Sequence, residues 1–180
     1  MARLDPIPVE KMTPEQKALH DRMIGTRKQL SGPFGVWLRN PALADSADKV
    51  VRAVRQDGKL EKRLYELIVL VVVRHWSAPY AWAAHEAPAR AAGLSDDTIE
   101  AIRARRKPNF AKADEALIYD AATELLAGKV LSAATYDKLI AQYGLDTTIE
   151  LITIAGLYSM VSTVLNGFDV PPSDGSRPFG

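Results

Sequence analysis

The side chains best suited to moving protons or holding an anion near neutral pH gather in one stretch of this chain. Residues 60–94 read LEKRLYELIVLVVVRHWSAPYAWAAHEAPARAAGL and hold Glu66, Arg74, His75 and His85 around the apolar heptad Leu67–Val73. Two of the chain's three histidines and two of its three tryptophans fall there. An imidazole titrates near working pH, so His85 is the natural general acid or base. A carboxylate on an apolar stripe is costly unless it is paired, and Glu66 therefore needs a partner. Glu66 and His85 can meet that need either as a catalytic pair or as a structural pair that fixes helix register.

These residues need two antiparallel helices to position them. Leu67–Val73 alone could be a buried strand, since periodicity does not separate the two for a short apolar run. The upstream LEKRLYE lacks Gly and Pro, and no turn signal precedes Ser77, so a helix of about 15 residues is expected. On it, Glu66 shares a face with Leu70 and Val73. The second helix is expected to begin with Ser77 as N-cap and Pro79 in its first turn, to bend at Pro88, and to stop at Gly93. Ala78, Ala81, Trp82 and His85 then share one face.

RHWSAPYAWAAHEAPARAAGL, with Glu66 upstream, resembles the signature of the carboxymuconolactone decarboxylase family within the alkylhydroperoxidase D superfamily. The matching features are Glu66, Arg74-His75-Trp76, Tyr80, Trp82, His85 and the Ala-Gly-Leu that follows. The resemblance is strong over 60–94 and looser, as a helix pattern, over about 40–170. It implies an all-α bundle of seven or eight helices with no sheet. Peroxidase members of the superfamily carry Cys-x-x-Cys just before the histidine, and those positions fall here on Ala78 and Ala81. A chain with no cysteine cannot run a dithiol peroxidase cycle.

The resemblance further implies a small, carboxylated unsaturated lactone from aromatic catabolism that loses carbon dioxide without a cofactor, a lyase reaction. In that reading His85 is the acid and Glu66 orients it. Arg74 or His75 clamps the substrate's carboxylate, and Tyr80 and Trp82 shape the pocket wall. Two rival readings are a catalytically silent oligomeric binding or scaffold protein of the same fold, and a cofactor-free isomerase or hydrolase. No Gly-x-Ser-x-Gly elbow, His-Glu-x-x-His pair or phosphate-cradling glycine loop supports another chemistry, and no metal or other cofactor is expected.

The remaining sequence sets bounds. A chain of 180 residues with 47% hydrophobic and 25% charged residues suits one globular domain over 1–180, with an extended N-terminal segment (1–12) and a C-terminal arm (168–180). A net charge of +1 argues against nucleic acid as an obligate partner. No uninterrupted run approaches 18 apolar residues, no apolar leader opens the chain, and there is no disulfide to protect, so a cytoplasmic protein without membrane contact is expected.

Thr13-Pro14-Glu15-Gln16 starts a helix to about Arg27, with a capping box at Gln16. Residues 28–40 form a loop anchored by Phe34 and Trp37, lining a pocket or covering the core. Asn40 caps a helix whose stripe is Leu43, Ala47, Val50, Val51 and Val54. Ser95 caps a short helix that ends in the basic run Arg103–Lys107, which reads as a solvated helix end in preference to a nucleic-acid or phosphate patch. A helix over 111–127 stops at Gly128, Ser132 caps one that Gly144 ends, and Asp146 caps the last, Thr147–Asn166. That last helix has a core face of Ile149, Ile152, Ala155, Gly156, Met160 and Val164 and almost no charge after Glu150. A helix apolar nearly all round must be covered on every side, which points to a homo-oligomer, a trimer or a hexamer.

Overall fold

The computed structural model describes residues 3–25, 30–128 and 130–180. Among them are eight α-helices, one 3-10 turn and no strand. The helices are α1 (Pro14–Ile24), α2 (Pro33–Trp37), α3 (Pro41–Arg55), α4 (Lys62–His75), α5 (Pro79–Ala91), α6 (Asp96–Arg103), α7 (Ala113–Leu126) and α8 (Ala133–Gly167). The 3-10 turn, Val9–Lys11, interrupts the N-terminal segment expected to be extended, because Pro6 and Pro8 bar an α-helix only up to that point.

Everything is arranged on α4. Each residue from Arg63 to Val73 is buried, with α5, α7 and α8 packed around the helix and α6 against it. The apolar heptad requires this: a helix without a polar face has no side to give to water. Burying each Leu, Ile or Val side chain there contributes about 1.5–3 kcal/mol.

Local signals set most of the boundaries. Thr13 and Gln16 close the capping box that opens α1. The expected end of that helix near Arg27 lies outside the described residues, which resume at Leu30. Asn40, Ser95 and Ser132 each accept a hydrogen bond from the first turn of α3, α6 and α8. The turn that leads into α4 is held from far away, the Glu150 carboxylate accepting from the amides of Lys59 and Leu60 at 2.9 and 3.2 Å. Gly58 permits that approach, since a Cβ there would collide with the Glu150 carboxylate and the Val54 carbonyl.

Several elements differ from the sequence expectation. Residues 33–37 form a short helix rather than loop, with Trp37 buried and stacked edge-on to Phe34. The buried stripe of α3 is Ala44, Ala47, Asp48, Val51 and Val54, whereas Leu43 and Val50 are 44% and 41% exposed. The small Ala44 and Ala47, at helical spacing with Val51 and Val54, supply that packing side and turn the larger residues out. Ser77 does not cap α5. Ala78 holds the N-cap position, and Ser77 adopts a left-handed conformation (φ 49) that closes the turn. Helix α5 continues through Pro88.

Gly144 (φ 73, ψ 175) breaks α8 internally, as expected of the glycine. Asp146 does not cap the second half. Its exposed carboxylate faces Lys59 Nζ at 3.6 Å, and the Gly144 carbonyl accepts from Thr148 Oγ1. The core face of that half is Leu151, Ile154, Ala155, Tyr158, Val161, Ser162 and Leu165, while Ile149, Ile152 and Met160 are exposed. A helix apolar all round has several possible inner faces, and packing against α4 selects the one bearing Tyr158.

By length and mean hydropathy α8 could cross a membrane, although half of its most apolar window is buried in this fold, as in a core helix. The C-terminal arm folds back through turns and seats Phe179 edge-on against Trp82, 5.5 Å between ring centroids.

An ionic cluster ties α4 to α7. The buried Arg63 guanidinium reaches Glu115 at 2.6 Å, Asp114 at 2.7 Å and Glu61 at 3.1 Å. Asp114 is held below the usual carboxylate range, chiefly by that hydrogen bond to Arg63. Its contribution is therefore present above the ordinary aspartate range and is lost as pH falls through the depressed value. We predict that Arg63→Ala lowers unfolding free energy by about 3 kcal/mol at pH 7, measured by urea denaturation, and that the gap from wild type narrows in acid.

Candidate active site

The turn Trp76–Ala78 folds α5 back against α4 and brings His85 onto Glu66. The Glu66 carboxylate is wholly buried, and His85 Nδ1 lies 2.7 Å from its Oε2. Ala78, Ala81 and Trp82 are buried with His85 on one face of α5, as their spacing requires.

Three further groups join the pair. Tyr158 of α8 stands edge-on to the imidazole, with its hydroxyl 3.2 Å from Nε2, and the Tyr65 hydroxyl lies 2.7 Å from that of Tyr158. Lys62, one turn before Glu66, holds its Nζ 3.0 Å from Oε1 as an ion pair rather than a directed hydrogen bond. The lysine side chain is 52% exposed, so this end of the row reaches solvent.

Protonation follows from the network. Burial pushes the Glu66 carboxyl up, but the hydrogen bond and charge of His85, helped by Lys62, outweigh it and hold the group below the usual glutamate range. An ionised Glu66 accepts from His85 Nδ1–H, which leaves Nε2 of the neutral ring as the acceptor for Tyr158 O–H. Burial drives Tyr158 well above the ordinary phenol range and Tyr65 to about 12, so both keep their protons. With Tyr65 donating to Tyr158, every member of the row has a partner. A second proton on the imidazole would sit on Nε2, stabilised by Glu66, and could be given up there.

The other expected site residues lie elsewhere. On a helix, Arg74 and His75 are turned about 80° and 180° from Glu66, so His75 is on the opposite side of α4. Arg74 Nε donates to the Arg103 carbonyl at 2.6 Å, and its guanidinium lies over the Phe179 ring. Both residues line a cavity of about 270 Å³ between α4, α6 and α7. Trp82 is fully buried and donates to Glu86 at 2.8 Å, a core anchor rather than a pocket wall. Tyr80 donates to Ser31 Oγ and packs across Gly32 (φ 60), where any Cβ would strike its ring. Tyr80 and part of residues 30–39 line a separate cleft of about 660 Å³. Neither cavity is lined by Glu66 or His85. Among the described residues no group of three or more His, Asp or Glu could hold a metal ion.

Sequence reasoning missed Lys62 and Tyr158. The first had a signal, since Lys62 and Glu66 are i and i+4 neighbours. The second had none, because nothing local marks a tyrosine 73 residues from His85 as its partner.

Glu66 and His85 are thus in contact, and Ala78 and Ala81 are buried on the same face of α5 as His85. The carboxymuconolactone decarboxylase family model matches residues 41–124. The match runs from the start of α3 into α7. The fold extends the likeness over the whole chain. A peroxidase-related protein from Ralstonia eutropha JMP134 with an alkylhydroperoxidase AhpD core superposes with a TM-score of 0.78 at 14% identity, covering 99% of this chain and 97% of that one. A peroxidase-related protein from Silicibacter sp. TM1040 gives 0.75 at 16% identity, covering 98% and 95%. The debrominase Bmp8, solved with 2,3,4-tribromopyrrole, gives 0.72 at 14% identity, covering 94% and 91%. None of the curated proteins matches the chain. Tyr158 lies in α8, beyond the family segment, so the row of side chains is completed from outside it.

Because Glu66 is held below its ordinary range, its ionic contribution is complete above that range and disappears as pH drops through the depressed value. Glu66→Gln is expected to destabilise the protein by about 1–3 kcal/mol at pH 7, with the difference shrinking toward acid, as measured by denaturant titrations across pH.

Proposed function

We propose that the chain is a cofactor-free acid–base enzyme of the carboxymuconolactone decarboxylase type, acting on a small carboxylated lactone or related acid. The observation that carries this reading is the buried Glu66–His85 contact at 2.7 Å, a carboxylate orienting an imidazole whose other nitrogen can release a proton. In the reaction the bond between ring carbon and carboxylate breaks, and its electron pair moves into the conjugated lactone. Carbon dioxide leaves, and the proton on His85 Nε2 is delivered to the ring carbon. The lactone carbonyl takes up the developing charge, and Glu66 stabilises the imidazolium before delivery. Lys62, half-exposed beside Glu66, replaces Arg74 and His75 as the cation for the substrate's carboxylate. A cytoplasmic setting and a role in aromatic catabolism belong to the same proposal, and the chain's lack of cysteine fits a reducing compartment.

A second reading has its own observation. Lys62, Glu66, His85, Tyr158 and Tyr65 satisfy one another, and the two cavities described above exclude the pair. Such a closed row is also what a structural clamp in a silent scaffold would look like.

Turnover of small unsaturated lactone acids, followed by carbon dioxide release, separates the two. For an enzyme, His85→Ala abolishes turnover with the fold retained, and Glu66→Gln lowers it less, by about 10²–10³-fold, because an amide orients the ring without stabilising its charge. For a clamp, no lactone acid turns over and both variants only lower thermal stability.

Homo-oligomerisation is part of the proposal. Ile149, Ile152 and Met160 are exposed on one apolar helix, a surface that a second copy would cover. Sedimentation is expected to give a trimer or hexamer at micromolar concentration, and a 19.7 kDa monomer would refute it.

A further inference from the structure

On the flank of α4 that runs from Arg74 to His75, a second cluster of chemistry-bearing side chains is assembled. Arg74 and His75 from α4 meet Arg105 and Arg106 from the segment after α6 around the cavity of about 270 Å³. Ser77 holds two of these cations together: its single Oγ accepts from Arg74 Nη1 at 3.1 Å and from Arg105 Nη2 at 2.7 Å. Like charges drawn to one oxygen repel, and a fold keeps them so only where something offsets the repulsion. Carboxylates close by are taken by other cations: Glu86 and Glu100 pair with Arg103, and Asp120 pairs with Lys107. Among the described residues none pairs with Arg74, Arg105 or Arg106. Burial and the neighbouring charge of Arg105 both push the Arg74 guanidinium below its usual range, as expected of a cation lacking a counter-charge.

Backbone strain marks the same place. The described residues include three non-glycine positions with positive φ, and two of them are Ser77 (φ 49) and Arg105 (φ 56). Left-handed backbone in a residue with a Cβ is costly and persists where the surroundings impose it, often at ligand clamps. The conformation at Ser77 presents the hydroxyl to both guanidiniums, and that at Arg105 turns the chain after α6 so that its side chain reaches Ser77. Val71, Ile102 and Leu126 add apolar lining to the same cavity.

We propose that this cleft is a binding site for a small organic anion, a carboxylate carried on a compact apolar body such as a single ring. The guanidiniums supply charge-assisted donors for the carboxylate, and the apolar lining takes the body. The site is separate from Glu66–His85 and does not rest on the catalytic reading.

Titration calorimetry at low ionic strength, with benzoate and inorganic phosphate as probes, tests it. Benzoate is expected to bind wild type, about tenfold more weakly to Arg105→Gln and to Arg106→Gln, and with unchanged affinity to His85→Ala. Both arginine side chains are exposed, so the variants should fold. Phosphate, lacking an apolar body, is expected to bind at least about tenfold more weakly than benzoate. No benzoate binding, binding that both arginine variants leave unaltered, or phosphate binding as tight as benzoate would overturn the proposal. Benzoate binding lost in His85→Ala but kept in both arginine variants would assign the anion to the other face of α4 and equally overturn it.

Discussion

A fully buried carboxylate in the middle of a wholly buried helix is the constraint from which most of this structure follows. Glu66 loses its hydration when α4 is enclosed, and only partners placed by other elements can make up that loss. His85 arrives from α5 because the Trp76–Ala78 turn reverses the chain, and Lys62 arrives from one turn earlier on α4 itself. Tyr158 arrives from α8, and with Tyr65 it occupies the far side of the imidazole. The result fixes the rotation of α4, α5 and α8 about one another. A turn of any of them by one residue, about 100°, would strand a charge or a hydroxyl.

The same helix separates two kinds of chemistry. Its Glu66 face holds a row of hydrogen-bonded groups in which a single proton can move, with a carboxylate to stabilise the charge on the ring. The side around His75 holds positive charge, and among the described residues no carboxylate forms an ion pair with Arg74, Arg105 or Arg106. Apolar side chains from Leu67 to Val73 lie between, so one α-helix separates the two clusters.

The ends of α4 are secured by long-range contacts. Before its N-terminus Glu150 of α8 binds the amides of Lys59 and Leu60, and Arg63 gathers Glu61, Asp114 and Glu115. At its C-terminus Arg74 is held by the Arg103 carbonyl, Ser77 and the face of Phe179. A helix without a polar face cannot be oriented by solvent, and these polar ends orient it instead.

Local chemistry was legible in the sequence wherever it was sufficient. Capping residues at 13, 40, 95 and 132, the break at Gly144, the all-helical class and the approach of His85 to Glu66 follow from spacing, hydroxyl or amide caps and the cost of a bare carboxylate. Tertiary structure alone decided the rest. Helix α8 is apolar all round, so only packing chose the face with Tyr158 and gave the imidazole its second partner. Arg74 and His75 follow Glu66 closely in sequence, yet helical rotation carries His75 to the opposite side of α4, beside arginines from a segment beyond α6. Sequence proximity suggested one cluster. A period of 3.6 residues, together with the elements packed on either side of α4, made two.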